Sequence, residues 1–370
     1  MADYIPKLNF KDGPPEKDDI PTLIENLRGR TATNSKPITL TRAEAGFYLW
    51  YHALGSPDKK GAEMCSGGAL SNIIWVIECQ SSEVSAMEKS MAIGLLSTLS
   101  SVDINREVIM FYKCIRSSIM PLLRASETSC SHTLATLHNM LKNKDARSKI
   151  MKDDVIDWPA IVKVLFEAQL SHSYSQLYDA GWTIALCIMH KDSPKVDEKD
   201  KGKKDEAPLT PAQTAALLEM ARKLKQRLVG LGILEPLVGM LHMDFPPHPA
   251  PPAEAAKKRP AGECIREVAM VCLWKLCQDS PEHLSMLEKM GGIEFAVKQL
   301  AHPAAPLMLE DPKSGDWVAA KDEQSWMVAL DRRASAAGLL YELCEKGPAA
   351  TRAKEAGAVA LFLGHLHLLM

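Results

Sequence analysis

The sequence predicts an all-α protein built as a solenoid of stacked helical units, and three observations carry that prediction. A decapeptide pattern recurs along the chain, each copy has helix-forming neighbours of one kind, and the spacing inside the unit holds where the loops lengthen. The pattern is clearest in residues 18 to 27, DDIPTLIENL, and 156 to 165, IDWPAIVKVL. Both carry apolar residues at offsets 2, 5, 6 and 9 and a proline at offset 3. Residues three and four apart form one stripe of a helix, and a proline in the first turn marks where that helix begins.

Further copies run from 68 (GALSNIIWVI), 232 (GILEPLVGML), 291 (GGIEFAVKQL) and 357 (GAVALFLGHL). SIMPLLRASE at 118 to 127 is the poorest, keeping Met120, Pro121 and Leu123 but losing the later positions. A short amphipathic segment precedes the copies, as in KDARSKIMKDDV, SPEHLSMLEKM and GPAATRAKEA. Longer helices with small and branched residues on one face lie between them, at 43–54, 88–99, 131–141, 180–189, 266–277 and 332–344. From Ala45 to Gly68, Ala269 to Gly292 and Ala336 to Gly357 the separations are 23, 23 and 21 residues, so the phase is kept. The unit is short helix, middle helix, long helix. Burying the stripe of one middle helix does not outweigh the entropy of ordering its backbone, so a unit is stable only when neighbours cover its faces.

Composition narrows the function. A formal net charge of -2 over 370 residues gives no field that would draw the chain to phosphate backbones. No apolar run approaches a membrane span, and the first residues lack the basic and apolar regions of a signal peptide, so no nucleic acid, no membrane insertion and a cytoplasmic location are expected. The nine cysteines contain no C-x-x-C pair and read as reduced core residues. Phosphate-loop, dinucleotide-binding, H-E-x-x-H and G-x-S-x-G motifs are absent, and His132, His138, His365 and His367 lack metal-site spacing. No catalytic residue, cofactor or metal is expected.

Three stretches interrupt the repeat. Residues 191–211 are charged and of low complexity, 244–262 are proline-rich, and 303–325 form a third insertion. The expected layout is an extended N-terminal arm at 1–17 followed by a solenoid of about six repeats at 18–370. The proline-rich stretch is either a tolerated surface insertion or a docking motif. Likewise the arm, with Tyr4 and Phe10, either packs on its own solenoid or anchors a neighbour.

The pattern G-x-L-x-x-L-V-x-x-L, preceded by a short helix and followed by A-x-x-x-L-x-x-L, resembles the armadillo repeat over roughly residues 18 to 369. That resemblance implies an armadillo-like α-solenoid, a right-handed superhelix of three-helix repeats; a two-helix HEAT-type solenoid is the rival geometry. The spacings between middle helices, 50, 50, 38, 76, 59 and 66, depart from the near-regular spacing of the family. Armadillo proteins mostly bind other proteins along the concave surface lined by their long helices. The family's peptide-binding members carry a tryptophan and, four residues on, an asparagine on that helix. The matching positions here are Phe47 and Tyr51, Gly94 and Thr98, Ala135 and Asn139, Ile184 and Ile188, Val271 and Lys275, Gly338 and Glu342. Only Asn139 matches, and Asn72 falls on a middle helix by phase.

The candidate protein-binding residues are therefore Phe47, Tyr51, Thr98, Asn139, Lys275 and Glu342. To these are added Tyr4 and Phe10 of the arm and Leu366 and Leu369 of the last middle helix, which the sequence leaves without a long helix to cover it. The expected function is a non-catalytic interaction scaffold or structural subunit of a larger assembly, self-associating through the C-terminal helix. The alternative is an adaptor or chaperone that binds clients reversibly.

Overall fold

A computed structural model describes residues 20–28, 40–111, 114–189, 211–243, 261–301, 308–310, 317–319, 323–345 and 348–361. The chain divides into two compact units, residues 1–160 and 161–370, with the division inside one helix.

The first unit begins with the middle helix α1 (Ile20–Leu27) and long helix α2 (Arg42–Gly55). A complete triplet follows: short α3 (Lys59–Ser66), middle α4 (Ala69–Glu78) and long α5 (Ala86–Leu99). The third repeat has short α6 (Asp103–Phe111) and long α7 (Glu127–Lys142), and α8 (Lys144–Lys152) opens the fourth. The division falls in middle helix α9 (Trp158–Leu170), and α10 (Tyr174–Ile188) is the long helix after it. The second unit continues with α11 (Pro211–Gly230), α12 (Leu234–His242) and α13 (Ala261–Cys277). Then come α14 (Pro281–Lys289), α15 (Gly292–Ala301), α16 (Glu323–Cys344) and α17 (Pro348–Glu355).

The stripe is the core. Ile20, Leu23, Ile24 and Leu27 are buried, as are Leu70, Ile73, Ile74 and Ile77 in the next copy. The same offsets bury Trp158, Ile161, Val162 and Leu165, then Leu234, Leu237, Val238 and Leu241, then Ile293, Ala296, Val297 and Leu300. The poor copy at 118–127 is irregular: a π-helical turn (Ile115–Ile119) passes into a 3-10 turn (Met120–Arg124) with Pro121 near its start. A hydrogen bond from Ser118 Oγ to Glu78 Oε1 ties that turn to α4.

The leading glycine of the pattern has a conformational cause. Gly68, Gly232, Gly291 and Gly357 have φ of 86, 81, 83 and 91°, the left-handed region that closes one helix and turns the chain into the next. A Cβ at Gly232 would meet nothing within 4 Å, so alanine there tests backbone alone. Gly232→Ala is expected to cost about 1 kcal/mol in urea unfolding. An unchanged midpoint would mean that the turn relaxes.

Side chains secure the helix ends. Thr41 with Glu44 and Ser85 with Glu88 form complete capping boxes on α2 and α5. Asn72 lies on the middle helix, as the phase requires. Its Nδ2 donates at 2.7 Å to the carbonyl of Ile24, in the last turn of α1, where helical carbonyls lack partners. At the other end, Arg352 of α17 donates to Glu294 at 2.8 Å and Glu288 at 3.3 Å, holding the last short helix against α14 and α15. That bond also keeps the Glu294 carboxyl below its ordinary range.

Two features correct the reading of the third insertion. Part of it is an antiparallel pair, β1 (Met308–Glu310) on β2 (Trp317–Ala319), with Leu309 opposite Val318. The long helix behind it starts at Glu323, well before 332, because EQSWMVALDRR contains neither proline nor glycine to delay it. Similarly, α11 begins at Pro211, the last residue of the first insertion. Residues 1–17 and most of the insertions at 191–211 and 244–262 lie outside the described residues.

Candidate protein-binding surface

Consecutive long helices pack side by side within each unit, and their exposed edges form the surface that the sequence singles out. In the first unit α2, α5 and α7 are joined by a seat built on one glycine. A Cβ at Gly94 would lie 3.1 Å from the Trp50 ring and 3.3 Å from His132 Nε2, so any larger residue would press the indole by a few tenths of an ångström. Trp50 Nε1 donates to Thr98 Oγ1 at 2.9 Å, Thr98 Oγ1 donates to the Gly94 carbonyl at 3.2 Å, and the His132 ring stands edge-on to Trp50 at 5.1 Å. Next along, Asn139 Nδ2 donates to the Ser97 carbonyl at 3.2 Å and to Ser100 Oγ at 3.3 Å. Its Oδ1 accepts from Lys142 Nζ at 3.3 Å.

Thus Thr98 and Asn139 are committed to joining neighbouring helices. Phe47 is half-buried, edge-on to Tyr48. Tyr51 is the one of these four that stands out, 64% exposed, one turn before Leu54 at 58%.

The second unit repeats the device. Trp274 of α13 lies against Gly338 of α16, where a Cβ would collide with the indole. Lys275 Nζ sits 3.8 Å from the centroid of that indole and donates to Gln278 Oε1 at 3.3 Å. Between α10 and α13 the close approach is Gly181 on Val268, and Cys272 Sγ donates to the Gly181 carbonyl at 3.3 Å. The register that offers Ile184 and Ile188 on α10 places both in the core, with Trp182 half-buried instead.

Lys275 and Glu342 belong to one charged cluster with Lys225, Asp279 and Glu345. Burial, followed by repulsion from Asp279 and Glu345, pushes the Glu342 carboxyl up; Lys225 and Lys275 only partly offset this. Burial, aided by Lys275, pulls the Lys225 ammonium down. A carboxyl raised by folding stabilises the fold at pH below its unfolded value, and that contribution is lost as pH rises through the folded value. Glu342→Gln is therefore expected to raise the denaturation midpoint at pH 7 and leave it unchanged at pH 3. A lowered midpoint at pH 7 would show that the lysines outweigh burial.

Tyr4, Phe10, Leu366 and Leu369 lie outside the described residues. The residues missed by sequence reading are Trp50 and Trp274, which occupy the seats. Their signal was present in the matching glycines of AIGLL (92–96) and AAGLL (336–340).

Among the described residues, no group of three or more histidine, cysteine or acidic side chains could hold a metal, and no helix is long and apolar enough to cross a membrane. Burial pushes the Cys114 thiol up to about 11 and Cys277 to about 12, away from the thiolate form a nucleophile needs.

No protein-family model and no curated protein matches this chain. Solved structures do. A designed armadillo repeat protein superimposes with a TM-score of 0.54 at 16% identity, covering 88% of this chain and 100% of its own. Another designed armadillo repeat protein, in complex with the peptide (KR)4, gives 0.52 at 17% identity over 88% of this chain and 100% of that one. A chain from a structure concerning the interaction between cadherin and β-catenin gives 0.53 at 15% identity, over 91% of this chain and 46% of that one. Among the described residues the protein is an α-helical repeat solenoid, interrupted by one short strand pair. Its fold is similar to that of designed armadillo repeat proteins.

Proposed function

We propose that this protein is a non-catalytic scaffold, a structural subunit that holds partner proteins on its long-helix faces. The observation that carries this reading is the pair of aromatic–glycine seats. Each locks two long helices into one register, so residues at their edges are presented on a rigid surface: Tyr51 and Leu54 in one unit, Lys275, Tyr341 and Glu342 in the other. Rigid presentation lowers the ordering cost of association. The solved relatives support the direction, since one holds a peptide and another comes from work on a protein interaction.

Partners on the second unit would meet charge of both signs, with Tyr341, 69% exposed, beside it. Residues 1–17, with Tyr4 and Phe10, and the C-terminal segment with Leu366 and Leu369 are proposed as further contacts, the latter for self-association. Cys65, Cys79, Cys114, Cys130, Cys187, Cys272, Cys277 and Cys344 are free thiols, in keeping with a reducing compartment such as the cytoplasm.

The test is affinity purification of the native protein with quantitative mass spectrometry and cross-linking. A partner at fixed ratio is expected, and Tyr51→Ser with Leu54→Ser should lower its recovery at least fivefold while shifting stability by no more than about 0.5 kcal/mol. Recovery of the protein alone would overturn the scaffold reading, and substoichiometric exchanging clients would favour the adaptor.

A further inference from the structure

The first unit carries a second feature that packing does not use up, where the start of long helix α2 meets middle helix α4. Two guanidinium groups gather around one indole: Arg42 Cζ is 5.4 Å and Arg28 Cζ 6.0 Å from the Trp75 ring centroid. Arg42, the first residue of α2, is half used. Its Nη1 donates to the Glu83 carbonyl at 2.7 Å and to Glu88 Oε1 at 3.4 Å. Its Nε is buried with no hydrogen-bond partner.

Arg28, just past the end of α1, has no ion pair or side-chain hydrogen bond among the described residues; its one side-chain interaction is with Trp75. A ring face attracts one cation, but two cations on one indole repel each other, and among the described residues Glu88 is the acid paired with either of them. Glu88 is itself shared, because its other oxygen accepts from Ser85 N at 2.6 Å in the capping box of α5. The balance of Arg28, Arg42 and Glu88 leaves one unmatched positive charge beside unused donors and an apolar wall.

We propose that Arg28, Arg42 and Trp75 form a docking site for an oxyanion, the carboxylate of an acidic side chain on a partner peptide. Guanidinium forks bind carboxylate and phosphate alike. A monoanion is favoured because it cancels the single unmatched charge, where a phosphate dianion would overshoot it. The site lies at the start of α2 and on α4, so it neither uses nor requires the long-helix surface proposed above.

The experiment uses the full chain. The indole N–H signal of Trp75, assigned with Trp75→Phe, is followed by NMR during titration with a capped five-residue peptide of alternating glutamate and aspartate. Its glutamine and asparagine counterpart serves as control. A saturable shift with the acidic peptide alone is expected, weakening as salt rises. Arg28→Gln should raise Kd about fivefold or more, since one charge-assisted contact of about 1 kcal/mol or more is lost. Glu88→Gln, which can still cap α5, should lower Kd. No saturable shift at millimolar peptide, or an unchanged Kd in Arg28→Gln, would overturn the site. Displacement of the peptide by inorganic phosphate at tenfold lower concentration would reassign it from carboxylate to phosphate.

Discussion

Trp50→Ala is expected to lower the stability of the first unit by about 3 kcal/mol, the low end of the range for removing a packed tryptophan because this indole is only half-buried. Three contributions are lost together. The ring leaves the seat at Gly94, the donor to Thr98 disappears, and the edge-on contact with His132 goes with it. Thr98 Oγ1 loses its donor but is only half-buried and keeps its own bond to the Gly94 carbonyl, so the cost is chiefly packing.

Repeat solenoids open locally, because each unit is held by its neighbours. Amide hydrogen exchange is therefore the measurement, and protection should fall first in α2 and α5. Trp50→Phe should recover all but the hydrogen bond and part of the area. A loss below about 1 kcal/mol in the alanine variant would mean that the seat contributes little and that the glycine is there for another reason.

That seat also marks the limit of what the sequence discloses. Stripes are local: four apolar residues within ten positions must face one way on a helix, so each could be assigned to the core from its own decapeptide. Left-handed turns are local too, and the leading glycines at 68, 232, 291 and 357 announce them. The position of Asn72 followed from phase alone, although its duty to the Ile24 carbonyl did not.

Contacts between consecutive long helices join residues 44 apart for Trp50 and Gly94 and 64 apart for Trp274 and Gly338, and no short period encodes such distances. Read one helix at a time, Gly94 and Gly338 look like gaps in the tryptophan position of the armadillo peptide-binding pattern. Read in pairs, they are the space that the tryptophan of the preceding helix occupies. For the same reason Asn139, which fits a peptide-binding pattern, turns out to join its own helix to α5. The charged cluster drew on α11, α13 and α16 at once, and sequence reading could reach Lys275 and Glu342 but not the Lys225 that faces them.

Glycine replacement gives the second large effect, and its sign depends on what surrounds the missing Cβ. In a helix, alanine in place of glycine ordinarily stabilises by about 0.4–1 kcal/mol through the unfolded chain. Gly230, the last residue of α11, has nothing within 4 Å of an added Cβ, and Gly230→Ala should show that gain. Gly292, the first residue of α15, should show the reverse. A Cβ there would stand 2.6 Å from Leu287 Cγ and 2.8 Å from the Leu287 carbonyl oxygen.

A flexible side-chain end could move aside, but the carbonyl belongs to the backbone of α14, and moving it pulls the short helix off the middle one. Overpacking of this kind costs about 1–3 kcal/mol, so it outweighs the entropic gain and Gly292→Ala should be destabilising by about 2 kcal/mol. Paired denaturation curves of the two alanine variants test this directly. Equal and favourable shifts would show that the α14–α15 junction yields, and that the glycine at 292 answers no steric demand.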